Sequence, residues 1–190
     1  MSSGEGTLLQ IPYPPPHSHP LTHLSQLHSD GVLNPSGVRF GSSEIYNILS
    51  TPQFRDTIVD SIVVGQQRIS APYSDVAERV LLFIKCAPAA STGTLLLNRK
   101  LETAIRDQIA KDLSRRHVPS FVFEAEDIPY NVNGKKLEIP VKAVLCGGRD
   151  AMENLKVTKE ERAQIAWFEK FYDVERVVNS LSGDRVGAKL

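Results

Sequence analysis

Two short apolar runs, 58–64 and 80–86, limit what this chain can fold into. The first is rich in β-branched side chains and ends at Gly65; the second stops just before Pro88. Runs of that length, bounded by turn residues, read as strands. Between them lies a polar loop containing Pro72. Segment 95–116 has a different period: Leu97, Leu101, Ala104, Ile105, Ile109 and Leu113 recur at steps of three and four, the spacing of one helix face. Pro119 closes that helix, and 120–124 alternates as a further strand.

The flanks extend the pattern. Residues 38–40 read as a short strand. Ser42 and Ser43 then offer hydroxyl N-caps, Glu44 a first-turn acid, and Ile45, Ile48 and Leu49 a helical stripe that Pro52 ends. Segment 136–145 starts a short strand or a helix with Pro140 at its first position, and Gly147-Gly148 breaks the chain after it. A last helix is predicted over 158–178, with Ile165, Phe168, Phe171 and Tyr172 on one face. Strand-helix-strand-strand-helix-strand-helix is the order of an α+β fold, a small sheet covered by helices.

That pattern occupies residues 28–180. Residues 1–27 carry Pro12, Pro14, Pro15, Pro16 and Pro20 and are expected to be polyproline-like or disordered; 181–190 reads as a flexible tail. His17, His19 and His23 have no cysteine or carboxylate at ligand spacing, so no metal site is expected of them. Formal net charge is zero, which leaves no global field to draw nucleic acid or an acidic membrane. Cys86 and Cys146 sit in apolar runs and read as free thiols of a reducing compartment. No apolar stretch approaches the roughly 20 residues of a membrane span. The N-terminus has neither the basic nor the apolar region of a secretory signal, so a cytoplasmic protein is expected.

Two loops carry the chemistry. In Asn131-Val132-Asn133-Gly134-Lys135-Lys136, Asn-Gly is a turn dipeptide because both residues tolerate positive φ. Lys135 is thereby projected from a tight turn as a mobile point charge suited to carboxylate or phosphate oxygens. In Asn34-Pro35-Ser36-Gly37-Val38-Arg39 a second turn precedes an arginine, whose planar donor fork fits phosphate. Each loop taken alone reads more readily as a solvated surface turn. The cations Lys111, Arg115 and Arg116, with His117, end the long helix and complement its dipole. Glu124, Glu126 and Asp127 crowd together without a histidine to complete an acid-base pair. Hydrolase, redox and self-contained nucleotidase readings lack their motifs.

Taken together, the stretches 29–46, 113–119 and 128–138 resemble the C-terminal domain of adenylate-forming acyl-CoA synthetases, and are most similar to the acetoacetyl-CoA synthetases within that family. The resemblance implies the activity of an acid-CoA ligase, with ATP, an acid and CoA as substrates and AMP and pyrophosphate as products. It implies that Lys135 is the adenylation lysine, Asp30 the hinge on which the domain rotates, and Gly37 the glycine that leaves room for the pantetheine arm. It further implies that Arg39 is a phosphate-facing arginine, with Lys111, Arg115 and Arg116 as contacts for CoA phosphates. The family shows Gly-Arg just before the hinge, whereas Leu27-His28 stands there in this chain. Nothing in the 190 residues resembles the family's large N-terminal domain, which carries the ATP, magnesium and acyl sites. The polypeptide alone is therefore expected to be inactive, with that large domain its partner and acetoacetate or another short acid its substrate. The alternative is a non-catalytic lid module acting by protein interaction.

Overall fold

The computed structural model describes the backbone of residues 32–187 and the side chains of 32–35 and 37–181. The expectations placed on Asp30, on His17, His19 and His23, and on the proline-rich segment lie outside the described residues.

The two apolar runs pair as antiparallel strands β3 (Ile58–Gln66) and β4 (Arg79–Cys86). Strand β5 (Phe121–Glu124) adds to β4 in parallel, giving a three-stranded sheet of order β3-β4-β5. Central β4 shows why its sequence is apolar almost throughout. Val80, Leu82, Ile84 and Cys86 enter one core, while Leu81 and Phe83 enter a second core on the other face. Alternation still operates, but both faces are buried.

The first core is closed by helix α1 (Ser42–Leu49), through Ile45, Ile48 and Leu49, and by helix α2 (Arg99–Asp112), through Ile105 and Ile109. The second is closed by helix α3 (Glu138–Asn154), helix α4 (Lys159–Ala166), a 3-10 turn at Glu169–Asp173 and helix α5 (Val174–Gly187). Phe83 packs there against Phe123, Trp167, Phe168 and Phe171 at centroid separations of 4.8–6.1 Å. The fold is α+β, a small sheet between helices, as the element order implies.

Several boundaries differ from expectation for local reasons. The strand sought at 38–40 is instead β2 (Phe40–Gly41), hydrogen-bonded to β1 (Val32–Leu33) as a small hairpin. Helix α1 starts at Ser42 itself, so Ser42 is not its cap. The Gly41 amide, one residue earlier, donates to Glu44 Oε1 at 3.0 Å. Helix α2 starts at Arg99 rather than 95, because Asn98 Oδ1 caps the Lys100 amide at 3.0 Å and Leu96 is drawn into a bridge with Phe123. It ends at Asp112, leaving Arg115 and Arg116 in the following turn.

Segment 136–145 resolves as the start of α3, whose first residue is Glu138; Pro140 is its third. Gly147-Gly148 interrupts α3 as expected: Gly148 is non-helical, with ψ −139°, and two helical segments meet there at a kink. The Gly148 φ of +58° suits glycine, and a Cβ there would meet the Tyr172 ring at 2.9 Å. The helix expected over 158–178 is divided by the 3-10 turn, with Phe168 and Phe171 both in the core. Helix α5 carries residues 181–187, assigned above to a tail. Among the described residues no helix is long and apolar enough to cross a membrane, and Cys86 and Cys146 are free thiols.

Candidate functional site

Residues 130–136 form a miniature hairpin. Tyr130 and Lys136 make an antiparallel bridge, and the Leu137 amide donates to the Pro129 carbonyl at 3.0 Å. Across the tip, the Asn131 amide donates to the Lys135 carbonyl at 2.9 Å, while Asn131 Oδ1 accepts from the amides of Asn133 and Lys135 at 2.9 Å each. An asparagine side chain thus does the work of a backbone turn. Gly134 supplies the one positive φ in the loop, +71°. The tip is open to solvent: Lys135 is exposed, Val132 is 89% exposed, and no described residue pairs with the Lys135 ammonium. The projecting lysine expected from Asn-Gly-Lys is present.

The adjacent lysine behaves oppositely. Lys136 Nζ lies 2.7 Å from Asp60 Oδ1, donates to the Ser61 carbonyl at 2.5 Å and sits 4.3 Å from the centre of the Tyr46 ring. The Tyr130 hydroxyl donates to the other oxygen of Asp60 at 2.8 Å. Burial, reinforced by that carboxylate, pushes the Tyr130 phenol up to about 12, so it remains a donor.

The second loop is the β1–β2 connection, a 3-10 turn at Pro35–Gly37 followed by Val38 and Arg39. Gly37 is exposed at φ +82°, with no described atom within 4 Å of where a Cβ would stand. Arg39 is exposed and has no side-chain partner among the described residues. The loop is anchored through Glu78, which accepts from the Asn34 amide and from Lys142 Nζ on α3, both at 2.7 Å.

The structure brings some of the predicted residues together and leaves others apart. The Phe40 ring lies 4.1 Å from that of His117, so Arg39 and Arg116 each stand one residue from the same contact. His117 is held by Ser114 Oγ at 2.8 Å and faces Glu44 at 3.7 Å. Lys111, Arg115 and Arg116 are exposed, and no described residue pairs with their side chains. The Phe40–His117 contact thus joins the backbone of this loop to that of the basic turn.

Lys135 belongs to a separate loop, whose base is tied to α1. Glu138, at the start of α3, accepts from the Tyr46 hydroxyl at 2.5 Å and from Ser42 Oγ at 3.3 Å, both on α1. The Val63 amide of β3 donates to the same tyrosine oxygen at 3.1 Å. Burial, and then Glu138, push the Tyr46 phenol far above its usual value.

Tyr46, Asp60, Tyr130, Lys136 and Glu138 were not singled out in the sequence. The available signal was Asp60, a carboxylate interrupting a β-branched run. Among the described residues no group of three or more His, Cys, Asp or Glu is arranged to hold a metal ion.

Comparison with known proteins gives consistent relatives. The chain is 47% identical over 119 residues to acetoacetyl-CoA synthetase of Danio rerio, a match spanning 63% of this chain and 16% of that protein. It is 41% identical over 119 residues to malonamoyl-CoA synthetase of Penicillium aethiopicum, spanning 63% of this chain and 15% of that protein. The solved structure of acetoacetyl-CoA synthetase from Streptomyces lividans superposes with a TM-score of 0.55 at 29% identity, covering 77% of this chain and 20% of that one. No protein-family model matches. The chain spans less than a fifth of the length of the curated relatives it matches.

Proposed function

We propose that this chain, whose fold is that of the C-terminal domain of adenylate-forming acyl-CoA synthetases and whose sequence relatives are acetoacetyl-CoA synthetases, works as the mobile lid of an acid-CoA ligase. The observation that carries the reading is the unpaired Lys135 ammonium at the tip of a hydrogen-bonded turn, within a segment similar to those ligases. In the adenylation step a carboxylate oxygen of the acid attacks the α-phosphorus of ATP and pyrophosphate leaves. Negative charge accumulates between the two reactants, and Lys135 is the side chain assigned to offset it. In the second step the CoA thiol attacks the acyl carbonyl and AMP leaves. Gly37 and Arg39 are assigned to that state, with Lys111, Arg115 and Arg116 meeting CoA phosphates. Asp30 is assigned as the hinge on which the domain turns between the two half-reactions.

The large ATP- and acid-binding domain is the proposed partner, whether joined in one polypeptide or supplied in trans. Acetoacetate or another short acid is the proposed substrate. Relatives named for two different acids match this region at 47% and 41% identity, which supports placing acid selection outside it.

The test is a chimera in which this chain replaces the segment of the Danio rerio synthetase that it aligns with. Lys135→Ala is expected to lower acid-dependent pyrophosphate release by roughly 10²–10³-fold, the scale of losing one transition-state donor. Thioester formation from supplied acyl-adenylate should continue. Full pyrophosphate release by the Lys135→Ala chimera would sink the assignment. The 190-residue polypeptide by itself is expected to release none, because one wall of a site cannot orient two reactants.

A further inference from the structure

Lys135 is useful only if its turn is aimed, and the structure contains a device that aims it. Tyr130 and Lys136 are the two bridge residues at the base of the turn, and both end on one carboxylate. Tyr130 donates to Asp60 Oδ2 at 2.8 Å, and Lys136 lies 2.7 Å from Asp60 Oδ1. The same Oδ1 accepts from the Ser61 amide at 2.7 Å, which fixes the carboxylate's orientation. Asp60 reaches this position through an irregularity in its strand. The pairing of β3 with β4 shifts register between Ile58 and Asp60, leaving Val59 61% exposed. A bulge of this kind redirects a side chain that regular pleating would send elsewhere. The turn is held on a third side by α4, where Gln164 Oε1 accepts from the Tyr130 amide at 3.0 Å. The strand thus grips both ends of the loop, and the tip, from Val132 to Lys135, is held by hydrogen bonds to Asn131.

We propose that Asp60 is a positioning residue for adenylation: through Lys136 and Tyr130 it fixes the turn that presents Lys135, without touching substrate. This rests on the reading of Lys135 given above. A transition-state contact depends on sub-ångström placement, and misplacement by about 1 Å costs up to roughly 100-fold in rate. Lys136 is thereby assigned to support rather than to chemistry.

The experiment uses the chimera described above together with the 190-residue chain. Asp60→Asn and Lys136→Met are expected to lower the adenylation kcat by about 10- to 100-fold. The KM for ATP and for the acid should stay near the parent values, and thioester formation from supplied acyl-adenylate should be retained, which shows a folded protein. Lys136→Arg keeps the charge and is expected to recover most of the rate. The double variant should lose little more than either single one, because both break the same contact. In the 190-residue chain, amide exchange at Asn131 and Leu137, the cross-turn donors, should accelerate in both variants. The sheet amides of β4 should remain protected, a split that general loss of stability would not produce. If Lys135→Ala is inactive while Asp60→Asn adenylates at the parent rate, this inference is overturned and the reading of Lys135 stands. If Lys135→Ala is itself fully active, both fall. Faster exchange at Asn131 and Leu137 with no loss of adenylation also overturns it.

Discussion

At the scale of single residues, the distinction that matters most is between Lys135 and Lys136. Composition and turn chemistry identify the Asn-Gly turn and its projecting lysine, because those depend on residues within the loop itself. They do not reveal what holds Lys136, since its partner is Asp60, far away in sequence and turned by a bulge. The turn's backbone makes a separate demand. Gly134 holds φ +71°, and no described atom stands within 4 Å of where its Cβ would go. Gly134→Ala therefore meets no clash, only the conformational penalty of a left-handed residue, about 1 kcal/mol. Thermal unfolding should record a Tm lower by about 2–4 °C for a domain of this size. An unchanged Tm would show that the turn adopts another conformation in solution.

At the scale of elements, strands were easier to read than helix ends. Strands β3, β4 and β5 fall close to where β-branched and alternating residues place them, because sheet burial imposes a pattern every second residue. The ends of α2 were harder to read. Leu95 and Leu96 are apolar and look like helix, yet Leu96 bridges to β5, and the helix begins only after Asn98. The readable signal was the cap: asparagine followed by Glu102 in the first turn. Asn98→Ala should cost about 1 kcal/mol in denaturant unfolding with an unchanged m-value. A cost near zero would mean that packing of Ile105 and Ile109, not the cap, determines where α2 begins.

At the scale of the whole molecule, the feature least visible in the sequence is a buried ion cluster that joins the β3–β4 connection to α5. Arg68 is 1% exposed. Its guanidinium donates to both oxygens of Asp75, both oxygens of Glu175 and the Tyr172 carbonyl at 2.7–3.0 Å, and it lies over the Tyr73 ring at 3.6 Å. Arg79 adds a second contact to Glu175. No local pattern announces this, since the two stretches that meet, Arg68–Arg79 and Tyr172–Glu175, lie about a hundred residues apart.

The cluster makes stability depend on pH. Arg68, and then Arg79, hold the Glu175 carboxylate down to about 2 from an ordinary 4.5, and Arg68 holds Asp75 below its usual range. Carboxylates lowered in the folded state contribute stability above their unfolded values, and that contribution is lost as pH falls through about 4.5 toward 2. Glu175 is 45% exposed, so solvent screening reduces its share to about 1 kcal/mol. Glu175→Gln should lower stability at pH 7 and flatten its decline between pH 5 and pH 2.5, measured by urea unfolding. An equally steep acid decline in the variant would assign it to other carboxylates.

The central strand adds a further consequence. Because β4 sends Leu82 to one core and Phe83 to the other, a slip of one residue would misplace side chains in both at once. Each core thus proofreads the other's pairing, and a misaligned sheet has no half-correct state in which to rest.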